Sequence, residues 1–277
     1  MNKKYIIFLF AFLLILAEVS YVNANLMISP FRVIFEGRTR SDVVYVINRS
    51  DETKTYRIEW FETFADENGK YIFRDKMTPE QEAALKPAQN LIRYSPRQVI
   101  LGPGQKQAVR IAYRKPSGLE EGEYRSHVIF KQLAGTSEVG DIRQNKDTAA
   151  MQLLLNMSVS IPIVIRHGDL KADANFISGN LESNYGPDNE DVFNMVLKRK
   201  GEASTYGSIR IYDANDERRE NILAVVNNIY VFPEQDTRKA RIPAKFKIPS
   251  SINRFVAVYT GRDEYENKVF DEFTFER

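Results

Sequence analysis

Few residues of this 277-residue chain are equipped for bond-making chemistry. Cysteine is absent, which excludes thiolate catalysis, disulfides and thiolate metal ligation together. There are two histidines, His127 in a strand-like run and His167 beside Gly168. Zinc takes three or four Cys, His or carboxylate ligands, and two distant histidines without an HExxH spacing do not supply them. No GxSxG elbow and no paired Asp/Glu motif occurs. "LGPGQK" (101–106) lacks the ending and the strand-to-helix setting of a phosphate loop, so it reads as a turn. The inventory points to a protein that is not an enzyme and carries neither cofactor nor metal. What remains is recognition: of anions by guanidinium groups, and of peptide backbone by an extended strand.

Arg32 is the first candidate. It lies in the apolar run "FRVIF", where a buried guanidinium is costly unless a carboxylate meets it. The alternative is an edge strand with Arg32 facing solvent, and the residues leave both open. Arg97, Arg110 and Arg125 sit in or beside strand-like runs, where each could equally be an outward surface charge. The second candidate is "MQLLLNMSVSIPIVIR" (151–166). Every odd position from Met151 to Ile165 is apolar, and side chains of a strand alternate faces, so one face is continuously apolar while the other is mixed. At about 3.3 Å per residue such a strand spans roughly 50 Å, whereas strands usually have about five or six residues. A strand of ordinary length in a sandwich core accounts for half of the odd row. The rest protrudes, as an aggregation hazard or a binding edge. Strand addition fits such an edge, with main-chain hydrogen bonds and alternate side chains offered to a partner's groove.

These residues need a scaffold, and the chain reads as strand after strand. It opens with Lys3 and Lys4, an apolar run from Tyr5 to Val19 and a small-residue site at Val22 and Ala24, which predicts a signal peptide (1–24) removed after Ala24. The run is shorter than the ~20 residues of a membrane span, and no later segment is apolar enough to span. The expectation is an exported, soluble protein without stable membrane insertion. The formal net charge is +2, and without the leader it is near neutral, so nothing suggests nucleic acid. "LMISPFRVIF" (26–35), "SDVVYVIN" (41–48), "KTYRIEWFET" (54–63), "NLIRYSP" (90–96), "RQVIL" (97–101), "KQAVRIAYR" (106–114) and "GEYRSHVIFKQL" (122–133) read as strands. Asn68-Gly69 marks a hairpin. "MTPEQEAALKPAQN" reads as a helix capped by Thr78 and ended by Pro87. A polar loop (134–150) precedes the long apolar strand. Beyond "RHGDLKAD", a hinge, come "ANFIS", "DVFNMVLKR", "YGSIRIYD", "ILAVVNNIYVF", "AKFKIP", "RFVAVYT" and "KVFDEFTF". Regular short strands with turn signals predict two all-β sandwich domains, one on each side of Gly168.

The ordered set "ISPFRVIFEGRTRSDVVYVINRSDETKTYRIEW", "YSPRQVILGPGQKQAVRIAYRKP", "LEEGEYRSHVIF" and the alternating strand closing on "IPIVIRHG" resembles the periplasmic pilus chaperones of the chaperone-usher pathway, in wording nearer the archaic-type branch. The resemblance is ordered through residues 26–168 and weaker beyond. It implies two immunoglobulin-like β-sandwich domains in a boomerang arrangement, at 25–166 and 167–277. It also implies periplasmic localisation, pilus subunits and an outer-membrane usher as partners, and self-association as a way for the free form to cover its edge. By the same resemblance, Met151, Leu153, Leu155, Met157 and, more weakly, Val159 are lent to an incomplete subunit (donor-strand complementation), while Ile161, Ile163 and Ile165 serve the protein's own core. Arg32 falls on the arginine that anchors the subunit's terminal carboxylate. The usual lysine partner falls at Pro162, so Arg97 and Arg125 stand as candidates for that base. Arg166 falls on an arginine that joins the two domains, although the position of its acid is taken by Arg125. The cysteine pair common in chaperones for thin fibres is missing. The rival reading is a secreted two-domain structural or adhesive module whose long strand stays within its own sheet.

Overall fold

Period-two alternation of apolar and polar side chains runs through most of this chain and sets it up to pair as strands. The computed structural model describes residues 26–133 and 157–277. The expected leader and Met151, Leu153 and Leu155 lie outside the described residues. The first half holds β1 (Leu26–Ser29), β2 (Val33–Phe35), β3 (Ser41–Asn48), β4 (Lys54–Phe61), β5 (Thr63–Ala65), β6 (Tyr71–Phe73), β7 (Ile92–Ser95), β8 (Gln98–Leu101), β9 (Lys106–Tyr113), β10 (Gly122–Leu133) and β11 (Ser158–His167). One sheet runs β1-β3-β9-β7 and the other β2-β11-β10-β4-β8, with β5-β6 as a separate hairpin. Ile28, Val44, Val46, Val109 and Ile111 of the first sheet share a single core with Phe35, Tyr56, Ile58, Phe130 and Ile163 of the second.

The second half contains β12 (Ala174–Tyr185), β13 (Glu190–Arg199), β14 (Thr205–Asp213), β15 (Ile222–Val231), β16 (Thr237–Pro243), β17 (Arg254–Gly261) and β18 (Val269–Glu276). Its sheets run β12-β13-β16 and β15-β14-β17-β18. They enclose a separate core built on Phe176, Phe193, Met195, Ile209, Ile211, Phe255 and Tyr259. The fold is therefore all-β, two sandwiches with independent apolar centres. Gly168 follows β11 at φ +99, in the left-handed region that favours glycine, and an added Cβ would meet the Glu121 side chain.

Four elements differ from the sequence reading. "LMISPFRVIF" is two strands in different sheets: β1 pairs with β3 and β2 with β11. Pro30, with no N–H for a ladder, falls at the break, and Arg32 lies in the crossing segment rather than inside a strand. The helix is Pro79–Ala83, capped reciprocally by Thr78 and Gln81 as expected. It ends short of Pro87 because residues just before a proline are driven out of the helical region. "AKFKIP" contributes only an isolated bridge at Ala244. The strand there is β16, where Ala240 and Ile242 are buried between exposed basic residues. Finally, "ANFIS" continues as β12 to Tyr185.

Candidate functional site

Strand β11 carries the described part of the long apolar row. It pairs antiparallel with β10 along its whole length, and its other flank meets β2, in parallel, only from Ile163 to Ile165. The Gln132 N–H donates to the Met157 carbonyl at 3.3 Å. Since hydrogen-bonded and non-hydrogen-bonded pairs alternate in an antiparallel ladder, the backbone groups of the odd residues face β10 and those of the even residues face outward. Ser158 and Ser160 thus present N–H and C=O to a flank with which no described strand pairs, and Pro162 presents a carbonyl there. A proline in the ladder is tolerated at 162 for that reason: its nitrogen points to the open side. Along the odd row burial falls off toward 157. Ile161, Ile163 and Ile165 are fully buried, Val159 packs half-buried against the first core, and Met157 is 42% exposed.

Arg32 stands where β2 stops covering that flank, one residue before the Val33–Ile163 pair and so abreast of Pro162. It is buried, at 8% exposure. Its Cζ lies 4.6 Å from the Tyr206 ring centroid and 5.4 Å from that of Tyr230, rings themselves stacked at 4.4 Å. Glu264 Oε1 is 3.0 Å from Arg32 Nη2. That contact lacks hydrogen-bonding geometry, and none of the three guanidinium nitrogens has a hydrogen-bond partner among the described residues. Removing a guanidinium from water without pairing its donors is costly. The tyrosine faces offset part of that cost, at about 2 kcal/mol for a desolvated cation–π contact, and leave the donors free for an anion.

Arg166 is satisfied from several sides. Its Nε donates to Glu123 Oε2 (3.0 Å), Nη1 to Glu36 (3.3 Å), and Nη2 to the Ser204 carbonyl (3.3 Å) and Glu264 Oε1 (3.1 Å). Glu123 Oε2 also accepts from the Ser204 N–H and hydroxyl, at 3.0 and 2.9 Å. Burial alone would weaken the protonation of Arg166, but Glu123, Tyr265 and Glu264 more than offset it and raise its pKa. The acid that the resemblance sought at 125 is supplied at 123, the cross-strand partner of Arg166. This network joins β10 and β11 of the first sandwich to residues 204 and 264 of the second.

The two other bases are placed differently. Arg97 is exposed in the turn between β7 and β8, beside Tyr94, and no contact joins it to Arg32. Arg125 is buried but committed: it pairs with Glu234, lies 3.6 Å over the Phe232 ring and donates to the Thr63 carbonyl at 3.2 Å. It opens onto a groove of about 440 Å³ lined by Glu121, Glu123, Asp169, Glu202 and Glu234 against only Lys86 and Arg125 as cations. Such a surface repels a carboxylate. Between the two arginines runs a row of rings, Tyr206, Tyr230, Phe232 and Tyr71, and Tyr71 packs edge-on to His127. The β5-β6 hairpin holds this row from the first sandwich, with the Lys239 N–H donating to the Glu67 carbonyl at 2.6 Å and Gln235 bonded to the Asp66 carbonyl. His127 is buried against Thr63, and burial, with Arg125 adding to it, pushes its pKa down to about 3, so it is a neutral core residue. Among the described residues no cluster of His, Asp or Glu could hold a metal ion, and no helix is long and apolar enough to cross a membrane. Glu264, Tyr206, Tyr230 and Glu123 were absent from the sequence-derived site.

No protein-family model matches the chain, and no curated protein does. Among solved structures it is similar to the class 5 fimbriae chaperone CfaA, at 12% identity over 91% of this chain and 99% of that one, with a TM-score of 0.47. It is similar to the chain in a Salmonella enterica SafA pilin and SafB chaperone complex, at 12% identity over 91% and 96%, with a TM-score of 0.48. It is also similar to the chain in the CsuC-CsuE chaperone and tip subunit complex from archaic Csu pili of Acinetobacter baumannii, at 14% identity over 78% and 90%, with a TM-score of 0.43.

Proposed function

We propose that this protein is a non-enzymatic periplasmic chaperone that caps pilus subunits by lending them the edge strand 151–159 and delivers them to an outer-membrane usher. Residues 25–166 and 167–277 form its two domains in this reading, and pairing of the free flank with a second copy is the way the unliganded form would cover it. The observation that carries the reading is the open flank of β11 at 158–162, which ends at a buried arginine whose donors are unpaired. An incomplete sandwich needs backbone partners and apolar side chains in alternation, and this edge offers both. Met151, Leu153, Leu155 and Met157 fill the subunit's groove, with Val159 shared between the groove and the chaperone's own core.

A client strand lying along 158–162 runs into β2 end to end at Arg32. With its terminal carboxylate on Arg32, it must run in the same sense as β11, which is the sense β2 already has. Two parallel N–H···O bonds from a guanidinium to a carboxylate then fix the register, and register decides which face every lent side chain presents. Four or five lent side chains give a gross gain of roughly 6 to 15 kcal/mol, against an association cost of about 4 to 15 kcal/mol. The hold is firm yet surrenderable, as delivery requires.

Arg32→Met tests this, since it keeps the apolar stem and removes only the anion-binding head. Capture of a co-expressed fimbrial subunit should fall about 10- to 100-fold, the worth of hydrogen bonds to a charged group. The melting temperature of the free protein should not fall, because the native guanidinium makes no hydrogen bonds to lose. A melting temperature that drops in step with capture would instead make Arg32 a purely structural residue.

A further inference from the structure

The carboxylate anchor already holds a carboxylate. Glu264 Oε1 sits between two guanidiniums, 3.0 Å from Arg32 Nη2 and 3.1 Å from Arg166 Nη2. We propose that Glu264 is an internal occupant of the anchor, holding the position between Arg32 and Arg166 that a client's terminal carboxylate takes on capture, so that Arg166 is the second cation of the site. The inference rests on the chaperone reading and deepens it by naming both the second base and a built-in competitor.

Three features support displacement over permanent occupancy. The Glu264 contact with Arg32 is Coulombic without hydrogen-bonding geometry, whereas a free terminal carboxylate can approach Arg32 in the bidentate manner that an arginine fork favours. The two arginines depend on Glu264 unequally: Arg166 keeps Glu123, Glu36 and the Ser204 carbonyl when Glu264 leaves, and Arg32 keeps its tyrosine platform. Glu264 also has a way out. Its side chain retains 18% exposure and it lies in the turn between β17 and β18, beside an open cavity that Lys171, Lys200 and Lys268 also line, where a released carboxylate finds cations and water. Arg125 and Arg97 have no comparable claim, one being neutralised by Glu234 and the other lying away from Arg32.

Glu264→Gln keeps the shape and removes the competing charge. The probes are the acetylated nonapeptide (Thr-Val)4-Tyr with a free C-terminal carboxylate and the same peptide as its C-terminal amide, titrated against the full chain by NMR. The wild type should prefer the free acid. Glu264→Gln should tighten the free acid about tenfold, as expected when an occupant filling the site nine times in ten is removed, and leave the amide unchanged. A second readout avoids the variant: the Glu264 side-chain carboxyl resonance of the wild type should shift on saturation with the free acid and stay put with the amide. If the wild type prefers the acid but the variant tightens neither peptide, or both equally, or if the Glu264 resonance does not respond, the internal-occupant inference fails and the anchor stands. If the wild type shows no preference for the acid, the anchor itself fails.

Discussion

Replacing Leu153 and Leu155 together by Asp abolishes co-purification with a fimbrial subunit and leaves the chaperone folded. Each lent leucine contributes about 1.5 to 3 kcal/mol of burial, so losing two removes roughly 3 to 6 kcal/mol before the cost of desolvating two carboxylates is added. Affinity should fall by at least about 100-fold. The fold should tolerate the change because the first core closes without these residues: Ile161, Ile163 and Ile165 are its contribution from β11, and burial has already declined to partial at Val159. Gln152→Asp, one position along and on the opposite face of a strand, is the control and should change capture little. Co-expression with tagged subunit, followed by pull-down and a thermal melt of the free protein, reads both arms. Retained capture by the double variant would remove the lending role.

Glu123→Ala has the opposite signature, a large loss of stability whatever the client. Glu123 Oε2 collects the Arg166 Nε–H and both donors of Ser204, all buried. Truncating it leaves one face of Arg166 and the Ser204 N–H without partners, since Glu36 is largely exposed and Glu264 is shared with Arg32. Removing one partner of a buried ion pair costs about 3 to 5 kcal/mol, which for a chain of this size lowers the melting temperature by roughly 10 °C. Calorimetry checks it. A melting temperature within about 2 °C of the wild type, equivalent to less than about 1 kcal/mol, would mean that the two sandwiches are not held together through this pair.

The strand content was legible because most strands here bury one face, and a half-buried strand writes its period into the residues. β3, β9, β10, β13, β14 and β17 are found where the alternation puts them. β16 was not, because in "TRKARIP" the inward positions are only Ala240 and Ile242, and the flanking bases give the stretch the composition of a loop. The break in "LMISPFRVIF" was marked by Pro30, yet nothing local says that the two pieces join different sheets. That choice is made by β3 and β11, far away in the chain.

The site was half legible for the same reason. Arg32 stood out as a cation in an apolar run, but its surroundings come from the second sandwich, where Tyr206 and Tyr230 look like ordinary strand aromatics and Glu264 lies in the turn-like "GRDEYEN". The acid for Arg166 could have been found by register alone. Residues two apart on a strand share a face, so an acid displaced from 125 to 123 still points the same way, and antiparallel pairing of β10 with β11 sets Glu123 opposite Arg166.

Amide hydrogen exchange at Ser158 and Ser160 tests the lent edge most directly. By the alternation of the ladder, their N–H groups face the open flank while those of Val159 and Ile161 face β10. In the free protein at low concentration, Ser158 and Ser160 should exchange nearly as fast as unstructured amides while Ile161 is protected. Capture of a pilus subunit should slow the two serines by more than about 100-fold as the flank gains a strand. Serine amides already as protected as Ile161 in the free protein, or unchanged when a subunit is bound, would contradict the account.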